Sequence, residues 1–193
     1  MSQIKQSAEN RQLTEFNINS AVFLLRHGEC LSNRTWPMEN YTDEIDVLTG
    51  EGREQVIRAA KYFYRFSCNF KLISSTLTRA KESTDILRSL LKQSSVFAPD
   101  ERIVEKNHEE PISSFRDRLD SFFSERVDSF GPWIIVCHGH VIETLLVEKI
   151  GAPYDILERA DGTYGIRGIS GVANGSISCL IGGNFVFFNH VQA

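Results

Sequence analysis

Four residues whose side chains can bind or attack a phosphate group follow apolar runs in this sequence. Arg26 and His27 come directly after the run that ends at Leu25, in the segment AVFLLRHGE. His138 follows the run WIIVC, and Arg79 opens a predicted helix just after the run KLISS. Two guanidinium groups can bind phosphate oxygens in bidentate fashion, a neutral imidazole can attack phosphorus, and a protonated imidazole can bind an equatorial oxygen. The residue types therefore suit phosphoryl transfer.

Alternating strand-like and helix-like segments must position these residues. VFLL, KLISS and WIIVC are short apolar runs typical of buried strands, and a further short strand is expected at residues 102–105. Helical patterns occupy residues 51–66, 78–91 and 141–150, and Thr49 is a candidate cap for the first of them. Gly182 and Gly183 predict a terminal hairpin. This alternation predicts an α/β fold, a three-layer α/β/α domain with a mostly parallel central sheet plus a C-terminal antiparallel hairpin.

The length and composition of the chain are those of one globular domain. It has 193 residues, of which 41% are hydrophobic and 24% charged. We expect residues 1–19 to form a polar N-terminal extension, either partly disordered or draped over the surface, and residues 20–193 to form a single catalytic domain. The net charge of -4 argues against a nucleic-acid partner. Scattered cysteines, no secretory signal and no membrane-spanning apolar run favour a cytoplasmic protein without a membrane partner.

The charged and titratable residues are expected to meet at one edge of the sheet, because ligands of parallel α/β sheets bind beyond the carboxyl ends of the strands. Taken singly, each residue has an ordinary explanation. An Arg-His pair such as Arg26 and His27 is often only a surface pair, and an arginine at the start of a helix, such as Arg79, is usually solvated. The H-x-H formed by His138 and His140 could supply two metal ligands, but no convincing third ligand stands nearby. We therefore expect no metal and no organic cofactor.

Five ordered blocks of the sequence resemble the motifs of the histidine phosphatase superfamily, which has the phosphoglycerate mutase-like fold. They are LLRHGE with Asn33, LTGEGREQV, SSTLTRAKEST, IIVCHGHVIETLL and NGSISCL, and they extend from about Ala21 to the end of the chain. The chain differs from many members in having no long helical insertion after the expected acid. In this respect it is similar to the compact members, which include phosphohistidine protein phosphatases.

The resemblance implies a role for each matching residue. His27 would be the nucleophile that forms a phosphohistidine, and Glu105 would protonate the leaving group and then activate water, with Glu109 and Glu110 as alternatives. An apolar, anion-binding pocket would raise the pKa of that carboxyl group. The phosphate would be bound by a set of matching positions: Arg26, Asn33, Arg79, His138 and Gly139. Of these, Arg26, Arg79 and His138 would also take part in catalysis.

The resemblance favours a phosphatase that hydrolyses phosphomonoesters through a phosphohistidine on His27. The alternatives are a phosphohistidine protein phosphatase, a phosphoglycerate mutase-type phosphotransferase and, outside enzymes, a phosphate-binding regulatory protein on the same fold. The short connection after Glu105 argues against a mutase, which must exclude water. The substrate would be a phosphorylated small molecule or a phosphoprotein, and loops at residues 34–47, 106–115 and 151–174 would form the walls of its site.

Overall fold

A six-stranded mixed sheet forms the centre of the molecule. The computed structural model describes residues 18–35, 38–92, 94–126, 131–150, 156–158, 164–166 and 171–192. Residues 1–17 of the expected extension, and most of 151–174, therefore lie outside the described residues. The strands of the main sheet are β1 (Ala21–Arg26), β2 (Phe70–Ser74), β3 (Ser94–Val96), β4 (Trp133–Cys137), β7 (Ile177–Ile181) and β8 (Asn184–His190). A separate antiparallel pair consists of β5 (Ile156–Glu158) and β6 (Tyr164–Ile166).

The strand order in the main sheet is β3-β2-β4-β1-β7-β8. The first four strands are parallel, and β7 and β8 are antiparallel to their neighbours. Gly182 and Gly183 join β7 to β8 with φ angles of 57° and 78°, the left-handed geometry of a two-residue hairpin turn. The predicted α/β fold, with its terminal antiparallel hairpin, is confirmed.

Helices cover both faces of this sheet. They are α1 (Leu31–Thr35), α2 (Gly50–Phe63), α3 (Thr78–Leu90), α4 (Ile112–Arg126) and α5 (Gly139–Ile150). The buried side chains of α2 and α3 pack on one face, and those of α4 and α5 pack on the other, which gives the three layers. None of the helices in the described residues has the length and apolar character needed to cross a membrane.

β1 is buried on both of its faces. Phe23 and Leu25 belong to the apolar core on the side of α2 and α3, whereas Val22 and Leu24 belong to the core on the other side. This explains the continuous apolar run, because a central parallel strand has no solvent face. Complete burial of each large side chain contributes roughly 1.5–3 kcal/mol to stability. The strand is thus held firmly at the point where Arg26 begins the polar segment.

The prediction of a strand at residues 102–105 was wrong. Glu101–Ile103 form a 3₁₀ turn, and the third strand lies upstream at Ser94–Val96, where it pairs with β2. The turn forms because the Asp100 carboxylate accepts hydrogen bonds from the backbone and side chain of Arg102, at 3.0 and 2.7 Å. A side chain that satisfies the backbone locally competes with strand pairing.

The loop after His27 packs tightly against the start of α2, where Gly28 and Gly52 lie in close contact. A Cβ on Gly28 would lie 2.1 Å from the carbonyl oxygen of Gly52, and a Cβ on Gly52 would lie 2.0 Å from that of Glu29. Thr49 caps α2, as predicted, by accepting a hydrogen bond from Gly52 N at 3.0 Å, and it donates to the Glu29 carboxylate at 2.7 Å. Gln55 accepts from Glu29 N at 2.8 Å. The LTGEGREQ block is therefore the support of the RHGE loop.

The segment before β7 supports the same loop from another direction. Gly175 N lies 3.1 Å from the carbonyl oxygens of both Arg26 and His27, and it donates to them. Gly175 has a φ of 69°, and a Cβ there would lie 2.7 Å from Gln55 Cβ. The loop is consequently enclosed by backbone that tolerates no added side chain.

We expect Gly52→Ala to lower the free energy of unfolding by at least about 2 kcal/mol, because the new methyl group would overlap the loop backbone. Gly50→Ala is the matched control, since nothing lies within 4 Å of a Cβ at that position. It should leave stability unchanged or raise it by up to about 1 kcal/mol through helix propensity. Urea unfolding of both variants measures this difference, and equal stabilities would contradict the close approach described here.

Candidate active site

The ends of β1, β2 and β4 bring the two histidines together. His27 N donates to Cys137 O at 3.1 Å, and Ser75 N donates to Val136 O at 3.0 Å, so the parallel pairing continues to the last residue of each strand. The ring centroids of His27 and His138 are 5.1 Å apart. The predicted convergence at the carboxyl edge of the sheet is observed for these residues.

His27 is held as a neutral imidazole with one nitrogen ready to react. Its Nδ1 lies 2.7 Å from Gly28 O, and because a carbonyl oxygen only accepts, Nδ1 carries the proton. Nε2 therefore has the lone pair, and it accepts a hydrogen bond from Arg79 Nε at 3.3 Å. Burial, followed by the positive charges of Arg79 and Arg26, lowers the pKa of His27 to about 3. The side chain is therefore an uncharged imidazole at neutral pH, with Nε2 unprotonated.

Arg79 is fixed by a buried carboxylate that the sequence analysis did not identify. Its Nη1 lies 3.1 Å from Oδ2 of Asp46, a residue with no exposed surface. Ser32 donates to the same carboxylate from its backbone N and its hydroxyl, at 2.8 and 2.9 Å. Burial tends to raise the pKa of Asp46, but the hydrogen bonds from Ser32 and the charge of Arg79 outweigh it, and the pKa is lowered. Asp46 thus remains an ionised anchor for the guanidinium group.

The N-terminus of α3 is capped from a distant segment. Thr78 donates from its backbone N to both oxygens of Asp43 at 3.0 Å, and from its hydroxyl at 2.9 Å. Asp43 belongs to a 3₁₀ turn, Asp43–Ile45. This contact ties the loop that carries Asp46 to the helix that carries Arg79.

Arg26 lines a cavity of about 380 Å³. Its Nη1 donates to Val172 O, while its buried Nε makes no hydrogen bond within the described residues. Burial lowers the pKa of the guanidinium group below its ordinary value. Gly139, the first residue of α5, brings its backbone close, since a Cβ there would lie 3.7 Å from Arg26 Cζ. A buried donor beside a cavity is a feature that an anion would satisfy.

His138 is completely buried and hydrogen-bonded to Ser75. Its Nε2 lies 2.6 Å from Ser75 Oγ, and its Nδ1 lies 3.7 Å from Oε2 of Glu105. Burial lowers its pKa well below the ordinary histidine value, although the charge of Glu105 opposes this shift. His138 is therefore a neutral imidazole in the free protein. Neutral imidazole still carries one N–H that can donate to a phosphate oxygen.

Glu105 lies in the cavity as a carboxylate. Its Oε1 accepts from the backbone N of His140 at 3.1 Å and lies 2.9 Å from His140 Nδ1. Burial tends to raise its pKa, but the contact with His140 and the neighbouring His138 and Arg26 outweigh burial and lower it. The prediction of a raised pKa was thus wrong for the free protein, because cationic and donor groups from other elements surround this carboxyl group.

The two alternative glutamates lie elsewhere. Glu110 forms a bidentate ion pair with Arg118 at 2.6 and 2.8 Å. The side chain of Glu109 is 87% exposed. Of the three candidates, the structure places only Glu105 on the cavity.

Asn33 also lines the cavity, from α1. Its Oδ1 accepts from Cys30 N at 3.1 Å and from Asn174 Nδ2 at 2.9 Å. Because the oxygen is occupied as an acceptor, a contact between Asn33 and phosphate would use its nitrogen.

Two further observations concern the remaining chemistry. Within the residues that the structure describes, no group of three or more His, Cys, Asp or Glu side chains could hold a metal ion.

Glu143 of α5 lines the cavity, although the sequence analysis gave it no role. Its only signal in the sequence was its place one turn after His140 on a helix that begins at the site.

The chain is similar to known proteins in both sequence and fold. Residues 22–108 match the family model of the histidine phosphatase superfamily, branch 1. The mitochondrial serine/threonine-protein phosphatase PGAM5 of Xenopus tropicalis is 24% identical over 179 residues, covering 83% of this chain. The chain spans 59% of the length of that relative.

Two solved structures, of a mutase and of a phosphatase, have the same fold as this chain. The phosphoglycerate mutase of Bacillus anthracis superposes with a TM-score of 0.63 at 17% identity, over 93% of this chain and 96% of that one. A mycobacterial glucosyl-3-phosphoglycerate phosphatase, solved with VO3, superposes with a TM-score of 0.60 at 19% identity, over 83% and 90% of the two chains. The fold is thus that of mutases and phosphatases alike.

We expect the free energy of unfolding to fall as the pH decreases from 6.5 towards 3, in part through His27. In this window the unfolded chain binds a proton at His27, with a pKa of 6.5, whereas the folded chain does so only near pH 3. His27→Gln should reduce the slope by up to about 1.4 kcal/mol per pH unit. Urea unfolding between pH 7 and 4.5 measures it. The exposed His108 gives the control His108→Gln, and equal slopes for both variants would contradict a neutral, buried His27.

Proposed function

We propose that the chain is a phosphatase of the histidine phosphatase superfamily, and that it hydrolyses phosphomonoesters through a covalent phosphohistidine on His27. The observation that supports this most directly is the orientation of His27. Its Nδ1 proton is held by Gly28 O at 2.7 Å, and its Nε2 lone pair lies beside Arg79. An unprotonated imidazole nitrogen next to a guanidinium group suits attack on a bound phosphate, once the guanidinium group turns its donors to the phosphate oxygens.

In the first step, Nε2 of His27 forms a bond to phosphorus while the bond from phosphorus to the ester oxygen breaks. The phosphorylated imidazole gains positive charge, and the hydrogen bond from Nδ1 to Gly28 O stabilises that charge. Arg26 and Arg79 would neutralise the phosphoryl oxygens, which carry the charge of the transition state. Both guanidinium groups are fixed beforehand, by Val172 O and by Asp46.

Glu105 would supply the proton that the leaving oxygen needs. The cationic groups around it hold its pKa low in the free protein. A phosphate dianion placed beside it opposes that effect and raises the pKa, so the bound complex favours protonated Glu105. After the alcohol leaves, the carboxylate accepts a proton from the water that attacks the phosphohistidine.

The connection after Glu105 supports hydrolysis over transfer to a second alcohol. Six residues, 106–111, join Glu105 to α4. A mutase must exclude water from its site, and a segment of only six residues is too short to cover the site extensively. The same feature would admit a phosphorylated protein, so a phosphohistidine protein phosphatase is the second candidate. Turnover of aryl phosphates, sugar phosphates and a phosphohistidine peptide distinguishes the two candidates, because activity on the small substrates alone would remove the protein phosphatase. Phosphate binding without any turnover would indicate a regulatory protein.

We expect His27→Ala to lower kcat/KM for 4-nitrophenyl phosphate by at least about 10³-fold, because the nucleophile is lost. Rapid denaturation of the wild-type protein with ³²P-labelled substrate should trap an acid-labile, base-stable phosphoenzyme that the variant lacks. His108→Ala, at an exposed histidine, is the control. Normal turnover by His27→Ala, or a label that survives acid, would rule out the phosphohistidine.

The effect of Glu105→Gln should depend on the leaving group. For an alkyl phosphate, whose alkoxide needs a proton, we expect a loss of about 10²–10⁴-fold in kcat/KM. For 4-nitrophenyl phosphate the loss should be much smaller, because nitrophenolate leaves unprotonated. Glu109→Gln is the matched control on the exposed loop. Equal losses for both substrates would remove Glu105 as the proton donor.

A further inference from the structure

The two neighbouring histidines of the site make their hydrogen bonds through different ring nitrogens. Nδ1 of His27 donates to Gly28 O at 2.7 Å, which leaves the lone pair on Nε2. In His138, Nε2 has the close partner, Ser75 Oγ at 2.6 Å. Nδ1 of His138 makes no hydrogen bond within the described residues, and it lies 3.7 Å from Glu105 Oε2. A neutral imidazole carries one proton, and the nitrogen that holds this proton on His138 decides what the side chain can do.

The hydroxyl group of Ser75 has one proton and two hydrogen-bond partners. It accepts from the backbone N of Leu77 at 3.3 Å, and His138 Nε2 is its other partner among the residues that the structure describes. Both contacts are satisfied when the hydroxyl accepts from the amide and donates its own proton to the imidazole. His138 then has an unprotonated Nε2 and a protonated Nδ1.

The opposite tautomer of His138 would be unfavourable for two reasons. If Nε2 carried the proton and donated it to Ser75, the hydroxyl proton would have no acceptor in the described part of the chain. The lone pair of Nδ1 would also face the carboxylate of Glu105, 3.7 Å away, at a fully buried imidazole. Unsatisfied donors and repulsion between a lone pair and a negative charge both cost more where water is excluded.

We propose that Ser75 is a positioning residue that holds His138 in the tautomer with its N–H on the side of Glu105, so that His138 is a donor and only His27 is a nucleophile. The inference rests on the proposed phosphatase function. The hydroxyl group occupies the Nε2 lone pair of His138, which therefore cannot attack phosphorus, whereas the Nδ1 proton is left for a phosphoryl oxygen. The backbone fixes this pairing, because Ser75 N donates to Val136 O at 3.0 Å, two residues before His138.

The position of the proton is measured directly by NMR spectroscopy of protein labelled with ¹⁵N at histidine, with His138→Gln used to assign the signals. We expect Nδ1 of His138 to be protonated and Nε2 unprotonated in the wild-type protein at neutral pH. Ser75→Ala should shift the population toward the tautomer protonated at Nε2. Ser74→Ala is the matched control, since Ser74 is also buried but makes no hydrogen bond to His138. A proton on Nε2 in the wild-type protein would overturn the proposal without any variant.

Kinetics and binding measure what this orientation contributes. Ser75→Ala should lower kcat/KM for 4-nitrophenyl phosphate by about 10- to 10²-fold, because one donor to the phosphoryl group is misdirected, and should weaken the binding of inorganic phosphate in calorimetry. In the His138→Gln background the same change should cost less than about threefold, since Ser75 acts through His138. Equal losses in both backgrounds would overturn the positioning role.

The proposal and the proposed function can fail separately. The expected tautomer, together with weaker phosphate binding by Ser75→Ala, in a protein that hydrolyses no phosphomonoester would support the role of Ser75 and overturn the proposed function alone.

Discussion

The hydrogen bond from His27 Nδ1 to the carbonyl oxygen of Gly28 is the interaction on which the site depends. It fixes the tautomer of the imidazole and thereby directs the lone pair of Nε2 toward the cavity. The carbonyl can hold this position because the glycine loop lies directly on the start of α2 and is hydrogen-bonded by Gly175 behind it. Thr49, Gly52 and Gln55 lie around this loop and help to hold that one peptide group in place.

The electrostatic state of the free site is prepared for an anion. His27 and His138 are neutral because burial and the nearby arginines disfavour imidazolium, whereas Glu105 is ionised because its contact with His140 and the charge of Arg26 favour the carboxylate. Arg79 is anchored by a buried aspartate and Arg26 by a backbone carbonyl, so neither side chain must be ordered when a ligand arrives. Fixed donors of this kind cost no reorganisation during the reaction. Their burial without an anion is unfavourable for folding, which is a common property of preorganised sites.

The sequence was sufficient for the features that depend on local pattern, and insufficient for those that depend on contacts across the fold. The continuous apolar runs of β1 and β4, the Thr49 cap and the Gly182-Gly183 turn each have a local physical cause, and all are present. β3 could not be found, since a Ser-Ser-Val strand at an edge carries no apolar signal, while Asp100 diverts the more strand-like residues after it into a turn. The pKa of Glu105 was misjudged because its neighbours come from β1 and α5. Asp46 and Glu143 were missed for the same reason, as nothing nearby in the sequence marks an acidic residue that tertiary packing will bury.

The position of β4 in the sheet has a consequence for the order of assembly. β4 is separated from β1 by more than a hundred residues of sequence, yet it lies between β1 and β2 and pairs with both of them. Until Trp133–Cys137 have been synthesised, the growing chain contains two apolar strands with no native partner between them. Those unpaired edges are the surfaces on which nascent chains aggregate or recruit chaperones. The histidine that follows β4 therefore arrives with the strand that joins β1 to β2, and His27 and His138 come together in the same event as this central pairing.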